Sequence, residues 1–228
     1  MNERRRIGIL GGRFDPIHLG HLATATVARQ RLALDSVLLL PSRVSPHRSA
    51  SARASGEQRL AMVRLATAGD ACLSPCDLEL RSDPPSYTSN TLACLRDRGH
   101  LATQLFFIVG ADAFSEITTW HDYPAVLEGA HFVIVARPGH AVSHLPARLP
   151  ELRNRMHPIT DDLRSSGLEM STSPIIWLLD AVTPDVSSPT IRKRLADGLS
   201  VTSLVPTEVT DYIARHRIYR SAHNSALT

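Results

Sequence analysis

Cysteine is scarce in this chain, and long apolar runs are missing. Cys72, Cys76 and Cys94 form an odd set with no paired spacing, which excludes a disulfide framework and suits a reducing cytoplasm. The apolar runs, such as Val37-Leu38-Leu39-Leu40, are strand-sized, so no membrane-spanning helix is expected. Arg4-Arg5-Arg6 is followed by only Ile7-Gly8-Ile9-Leu10 before two glycines. That apolar core is too short for a secretory signal, and the arginines are expected to be a solvated lead into a first strand. Charge of one sign is scarce too. Against 22 Asp and Glu stand 25 Lys and Arg, a net of +3, which fits a small polyanion but makes no case for nucleic acid. No internal repeat or low-complexity segment occurs. What remains is ordinary globular composition, 43% hydrophobic and 21% charged over 228 residues, enough for one large domain with a real core.

Short apolar runs alternate with amphipathic stretches. Residues 7–10, 36–40, 104–110, 131–136 and 175–179 read as strands, with a shorter one near 76–80. Helices are expected over about 19–34, 56–68, 88–98, 187–198 and 206–216. Leu22, Val27, Ala28 and Leu32 would face inward in the first, and Leu60 and Val63 in the second. Ser86 or Thr88 is expected to cap the third. A long basic loop follows Pro41, and residues 140–172 are expected to be irregular. Strands that are apolar throughout, separated by helices, imply an α/β fold. Its sheet would be doubly wound and mostly parallel, with a small helical portion at the C-terminus. Ligands of such folds sit beyond the carboxyl ends of the strands. Gly11-Gly12, Pro41 and Gly110-Ala111-Asp112 all fall there.

The richest stretch is Gly11-Gly12-Arg13-Phe14-Asp15-Pro16-Ile17-His18-Leu19-Gly20-His21. Its glycines allow a sharp turn and close approach of backbone N–H groups to a ligand. The helix start beyond Pro16 offers unsatisfied N–H groups and the positive end of the helix dipole, a natural phosphate site. His18 and His21 are three apart, so both project from one face there and can donate to a transferring phosphoryl group. Gly20 would remove bulk where a nucleotide approaches. The pattern is neither a dinucleotide fingerprint nor a Walker loop. Two plainer readings stand beside it: helix-start polar residues without a role, and a zinc pair, for which the spacing is poor.

A second stretch, Thr183-Pro184-Asp185-Val186-Ser187-Ser188-Pro189-Thr190-Ile191-Arg192, places serine before a helix start. It reads as a helix cap, or as a second phosphate site built from helix N–H groups, Ser hydroxyls and the forked Arg192.

The first stretch resembles the G-x-F-x-P-x-H-x-G-H motif of the nucleotidyltransferase superfamily, and the second its I-S-S-T-x-I-R motif. Gly110-Ala111-Asp112, Ser86-Tyr87-Thr88, Trp120, Arg137-Pro138-Gly139 and Tyr212-Ile213-x-x-His216-x-x-Tyr219 are similar to the bacterial nicotinate mononucleotide adenylyltransferases. The resemblance spans residues 6 to 219. It implies a Rossmann-like nucleotide-binding domain over 1–184, a helical subdomain over 185–221 and a tail over 222–228. It also implies adenylyl transfer from ATP to nicotinate mononucleotide, with Mg2+ arriving on the triphosphate and no metal ligands of the protein's own. The implied catalytic residues are His18, His21 and Arg192. Gly11, Gly12, Phe14, Asp112 and Ser188 would join them around ATP. Arg48, Tyr87, Thr88, Trp120 and the backbone of His121 would hold the pyridine mononucleotide. The residues alone leave Trp120 open as a core aromatic, and Tyr87 and Thr88 as a simple helix start. The chain departs from the pattern at Arg13, where Thr is frequent, at Pro189, where Thr is usual, and at Arg48, where the loop usually carries Lys. No nucleic acid or membrane is implied, and a homo-oligomer is compatible with the sequence. Acceptors left open are nicotinamide mononucleotide and phosphopantetheine. From another class stands a nucleotide-binding regulator without turnover.

Overall fold

Short, mostly apolar runs rich in Leu, Ile, Val and Phe build one sheet. Its strands are β1 (Ile7–Gly12), β2 (Ser36–Pro41), β3 (Leu73–Pro75), β4 (Leu105–Gly110), β5 (His131–Val135), β6 (Met156–Pro158) and β7 (Ile176–Leu179). The computed structural model describes residues 5–44, 52–82, 85–137, 139–160 and 172–219. Among these the strand order is β3-β2-β1-β4-β5-β7-β6, and every neighbouring pair is parallel. β1 lies inside the sheet next to the central strand β4, with Ile9 opposite Leu38 of β2 on one side and Phe107 of β4 on the other.

The helices are α1 (Leu19–Arg31), α2 (Gly56–Thr67), α3 (Leu78–Arg81), α4 (Thr88–Asp97), α5 (Ala111–Phe114), α6 (Leu145–Arg148), α7 (Ser188–Ala196) and α8 (Thr207–Arg215). They cover both faces of the sheet. Side chains alternate along each strand, so Val133 and Val135 of β5 enter one core while Phe132 and Ile134 enter the other. The first core takes Ala25 and Ala28 of α1, Met62 and Val63 of α2, Ile191 of α7, and Val209 and Ile213 of α8. The second takes Leu92 and Leu95 of α4 with Phe114, Ile117 and Leu145. The sheet is therefore doubly wound and buried on both faces, as its unbroken apolar strands require. Among the described residues no helix is long and apolar enough to cross a membrane.

Four local expectations change. The glycine pair is not a turn: Gly11 and Gly12 complete β1, in register with Leu40 and Pro41. The strand near 76–80 is replaced by β3 at Leu73–Pro75, followed by α3. Arg81 pairs with Asp77 one turn earlier, at 2.7 Å, and supports that short helix. Tyr87, not Ser86 or Thr88, stands at the start of α4 without a side-chain cap, because the Ser86 hydroxyl accepts the Arg43 N–H at 3.0 Å. The stretch expected to be irregular holds α6 and an edge strand, β6; its residues 161–171 lie outside the described residues.

Candidate active site

β1 pairs with β2 on one side and β4 on the other, so the chain winds away in opposite directions from the β1/β4 boundary. A crevice opens there, beyond the carboxyl ends of the strands. Its volume is about 550 Å3. Gly11, Gly12, Phe14, His18, His21, Tyr87, Thr88, Asp112, Trp120, His121, Ser188 and Arg192 all line it. Arg48 lies outside the described residues. The start and the end of the chain thus meet in one cleft.

The loop after β1 is fixed by donors behind it. The Arg59 guanidinium donates to the Arg13 carbonyl at 2.7 Å, Arg192 to the Asp15 carbonyl at 2.7 Å, and the Ser188 hydroxyl to the Pro16 carbonyl at 2.9 Å. In a trans peptide the N–H points opposite to the C=O. The Phe14 N–H therefore points away from Arg59. The Ser188 hydroxyl has spent its hydrogen on Pro16, so its backbone N–H at the start of α7 is the donor left for an anion. Ser187 caps α7, its hydroxyl accepting the Thr190 N–H at 3.3 Å.

Phe14 has φ 47, a left-handed conformation uncommon for a bulky residue. Its ring is buried and meets the His21 ring edge-on at 4.9 Å. The Asp15 carboxylate, 1% exposed, accepts the N–H groups of Arg53 and Ala54 at 2.9 and 3.0 Å.

His18 and His21 begin α1 with stacked rings, centroids 3.6 Å apart. The His18 N–H donates to His21 Nδ1 at 3.3 Å. An imidazole nitrogen that accepts carries no proton, so neutral His21 holds its hydrogen on Nε2. Burial, then the nearby Arg137 charge, brings the His18 pKa down to about 4, so its ring is neutral at pH 7. The role expected for Gly20 changes. A Cβ there would sit 3.1 Å from His18 Nδ1 and 3.2 Å from the Pro184 carbonyl. Gly20 makes room for the His18 ring, not for a ligand.

On the opposite wall, Asp112 folds back over Gly110, where a Cβ would strike its carboxylate and the Arg137 guanidinium. Asp112 and Arg137 lie 3.9 Å apart, an ion pair too long to be a hydrogen bond. Tyr87 stacks on His121 with centroids 4.1 Å apart. His121 Nδ1 lies 3.2 Å from the Ser89 hydroxyl and 3.0 Å from Asp122. Half-buried Trp120 sets its edge against Phe107, leaving ring surface on the cleft. Beneath them Glu79, 7% exposed, accepts the Thr91 hydroxyl at 2.8 Å. Burial raises the Glu79 carboxyl above its usual range, and hydrogen bonds from Thr91 and Ser86 hold it back in part.

Asp15, Arg59 and Glu79 were not among the expected site residues, and Arg137 stood only within the Arg137-Pro138-Gly139 match, with no role of its own. Arg59 carried a signal: a cation next to Leu60 on a face expected to be apolar. Asp15 stood inside the first motif, with no role of its own assigned to it. Among the described residues no group of three or more His, Cys, Asp or Glu side chains could hold a metal ion.

Residues 9–194 match the cytidylyltransferase-like family. A protein of Aeromonas salmonicida named "Probable nicotinate-nucleotide adenylyltransferase" is 40% identical over 215 residues, covering 94% of this chain and 97% of the relative. One of Desulfatibacillum aliphaticivorans with the same name is 36% identical over 222 residues, covering 94% and 99%. The chain belongs to the nicotinate-nucleotide adenylyltransferases. A solved structure of the Plasmodium falciparum nicotinic acid mononucleotide adenylyltransferase complexed with NaAD shares the fold. Its TM-score is 0.68 at 16% identity, covering 95% of this chain and 98% of that one. In this member of the adenylyltransferase family, as in the sequence pattern, the conspicuous departure is Pro189, the second residue of α7. It lines the cleft without an N–H to offer.

Proposed function

We propose that this chain transfers the adenylyl group of ATP to nicotinate mononucleotide, giving nicotinate adenine dinucleotide and pyrophosphate in NAD biosynthesis. The observation that carries the residue roles is the meeting of His18, His21 and Arg192 in one cleft with Tyr87, Thr88 and Trp120. A phosphate oxygen of the mononucleotide attacks the α-phosphorus of ATP in line. The bond from that phosphorus to the β-phosphate oxygen breaks, and pyrophosphate leaves with the electron pair. No covalent enzyme intermediate is needed, so catalysis is positioning and charge stabilisation.

His21 donates from Nε2 to the triphosphate, and Arg192 supplies fixed positive charge from the far helix. Neutral His18 braces His21 by stacking. Gly11, Gly12, Phe14 and the Ser188 N–H provide close backbone approach, and Asp112 contacts the nucleotide. Thr88 at the first position of α4 has an N–H without an intrahelical partner. With the backbone of His121 it receives the pyridine carboxylate, while Trp120 and Tyr87 offer aromatic surface to the ring. Mg2+ enters as part of the MgATP substrate, held chiefly by the phosphate oxygens. The partners are these two nucleotides, the compartment is the cytoplasm, and residues 185–221 serve the nucleotide-binding part as a helical subdomain.

Pyrophosphate release from ATP tests this with nicotinate mononucleotide, nicotinamide mononucleotide and phosphopantetheine offered in turn. The first should be preferred. Release only with another acceptor overturns the substrate assignment. ATP binding without turnover on any acceptor points to a regulator.

A further inference from the structure

The phenol of Tyr219 donates to Asp15 Oδ1 at 2.7 Å, across 204 positions of chain. Tyr219 is 6% exposed and Asp15 1%. Tyr219 also stands at φ 66, a conformation that a tyrosine keeps only where its surroundings hold it. The closing motif from Tyr212 to Tyr219 has no part in binding either nucleotide as read above, yet its last residue reaches the phosphate loop.

Asp15 is where three distant segments meet the loop after β1. Its Oδ1 accepts the Tyr219 hydroxyl and the Ala54 N–H, and its Oδ2 the Arg53 N–H. Its main-chain carbonyl holds Arg192 Nη1 at 2.7 Å. That same Nη1 lies 3.7 Å from Oδ2, close enough for attraction but too far for a hydrogen bond. A buried carboxylate short of donors takes the nearest one. Without the Tyr219 hydroxyl, the cation already within ion-pair distance of that carboxylate is the Arg192 guanidinium. Arg192 would close onto the carboxylate and turn from the cleft it lines.

We propose that Tyr219 is a positioning residue for Arg192. Its hydroxyl satisfies the Asp15 carboxylate, and so keeps the guanidinium bonded to the Asp15 carbonyl and directed at the phosphates. The closing turn of the chain thereby sets the geometry of a site built at its start. This rests on the assignment of Arg192 to the ATP phosphates.

The test compares Tyr219→Phe, Arg192→Ala and the double variant by steady-state kinetics, with thermal unfolding alongside. Tyr219→Phe keeps the ring and removes one hydroxyl. The expected result is a fall in kcat of about tenfold, the scale of one hydrogen bond to a charged group, with KM for nicotinate mononucleotide within about twofold. In the Arg192→Ala background, Tyr219→Phe should cost almost nothing further, because residues acting through one another are not additive. Full additivity, an unchanged kcat in Tyr219→Phe, or a Tyr219→Phe protein that does not fold at the assay temperature each overturns the latch. Parent-like turnover of Arg192→Ala overturns the assignment of Arg192 itself, whatever Tyr219→Phe does.

Discussion

His18 lies on His21 with the two rings inclined by 23°, and the backbone N–H of the first fills Nδ1 of the second. The pair acts as one unit. His18 fixes the tautomer of His21 and covers one face of its ring, while Phe14 closes an edge. His21→Ala is expected to lower turnover about 100-fold, the scale of losing one donor to a developing negative charge. Steady-state assay of a variant with unchanged circular dichroism measures this. A parent-like rate removes His21 from the chemistry.

Acid should weaken the fold through two histidines. Burial is the main cause that brings His18 and His131 to about 4 from an ordinary 6.5. His131 spends its Nδ1 on the Ile175 N–H at 2.9 Å. Between pH 6.5 and about 4 the unfolded chain binds more protons at both positions. The stability from neutral burial is therefore whole above pH 6.5 and falls away towards pH 4. At pH 5 the loss is roughly 2 kcal/mol for each histidine. Glu79 works the other way. Its raised pKa means that stability lost at neutral pH returns as pH falls, which offsets part of the drop. The net expectation is a lower urea midpoint at pH 5 than at pH 7, and a smaller drop in His131→Asn. Equal midpoints in the parent protein would contradict it.

The fold was legible because strand burial on both faces leaves unbroken apolar runs such as Leu105-Phe106-Phe107-Ile108-Val109. The phosphate loop was legible because glycine, proline and histidine have narrow uses at a helix start. What escaped notice were the groups that act from behind. Asp15, Arg59 and Glu79 are buried polar residues whose partners lie far away in sequence, and no local periodicity announces such pairings. Gly20 was misassigned for a related reason: what a missing Cβ leaves room for depends on Pro184, well over a hundred residues along the chain. The strand expected near 76–80 failed because Leu78 and Leu80 suit a short helix as well as a strand.

Gly20→Ala separates function from stability. A Cβ would stand 3.1 Å from His18 Nδ1 and 3.2 Å from the Pro184 carbonyl, so one or both must shift by a few tenths of an ångström. Overfilling of this kind costs about 1–3 kcal/mol, while alanine in place of glycine returns up to about 1 kcal/mol in a helix. The melting temperature should therefore fall by only a few degrees. Turnover should drop at least about tenfold, because small displacements of positioned groups cost rate steeply. Loss of stability with turnover intact would show that the His18 ring can shift without consequence.

Pro189 calls for the opposite experiment, a gain. α7 begins at Ser188, and Ser187 already takes the Thr190 N–H, so the second position of the helix is where an outward N–H would stand free. Proline leaves that position empty and suits it conformationally, since its fixed φ is helical. Pro189→Thr restores one donor beside the Ser188 N–H and Arg192. It also frees the unfolded chain, at a cost to stability of about 0.4–1 kcal/mol. A single added hydrogen bond is worth about 1 kcal/mol net, so KM for ATP should fall about fivefold, with KM for the mononucleotide unchanged. Isothermal titration with a non-hydrolysable ATP analogue gives the same comparison without turnover. An unchanged ATP affinity would mean that the second residue of α7 does not face the phosphates, and that Arg192 and the Ser188 N–H carry this end of the site by themselves.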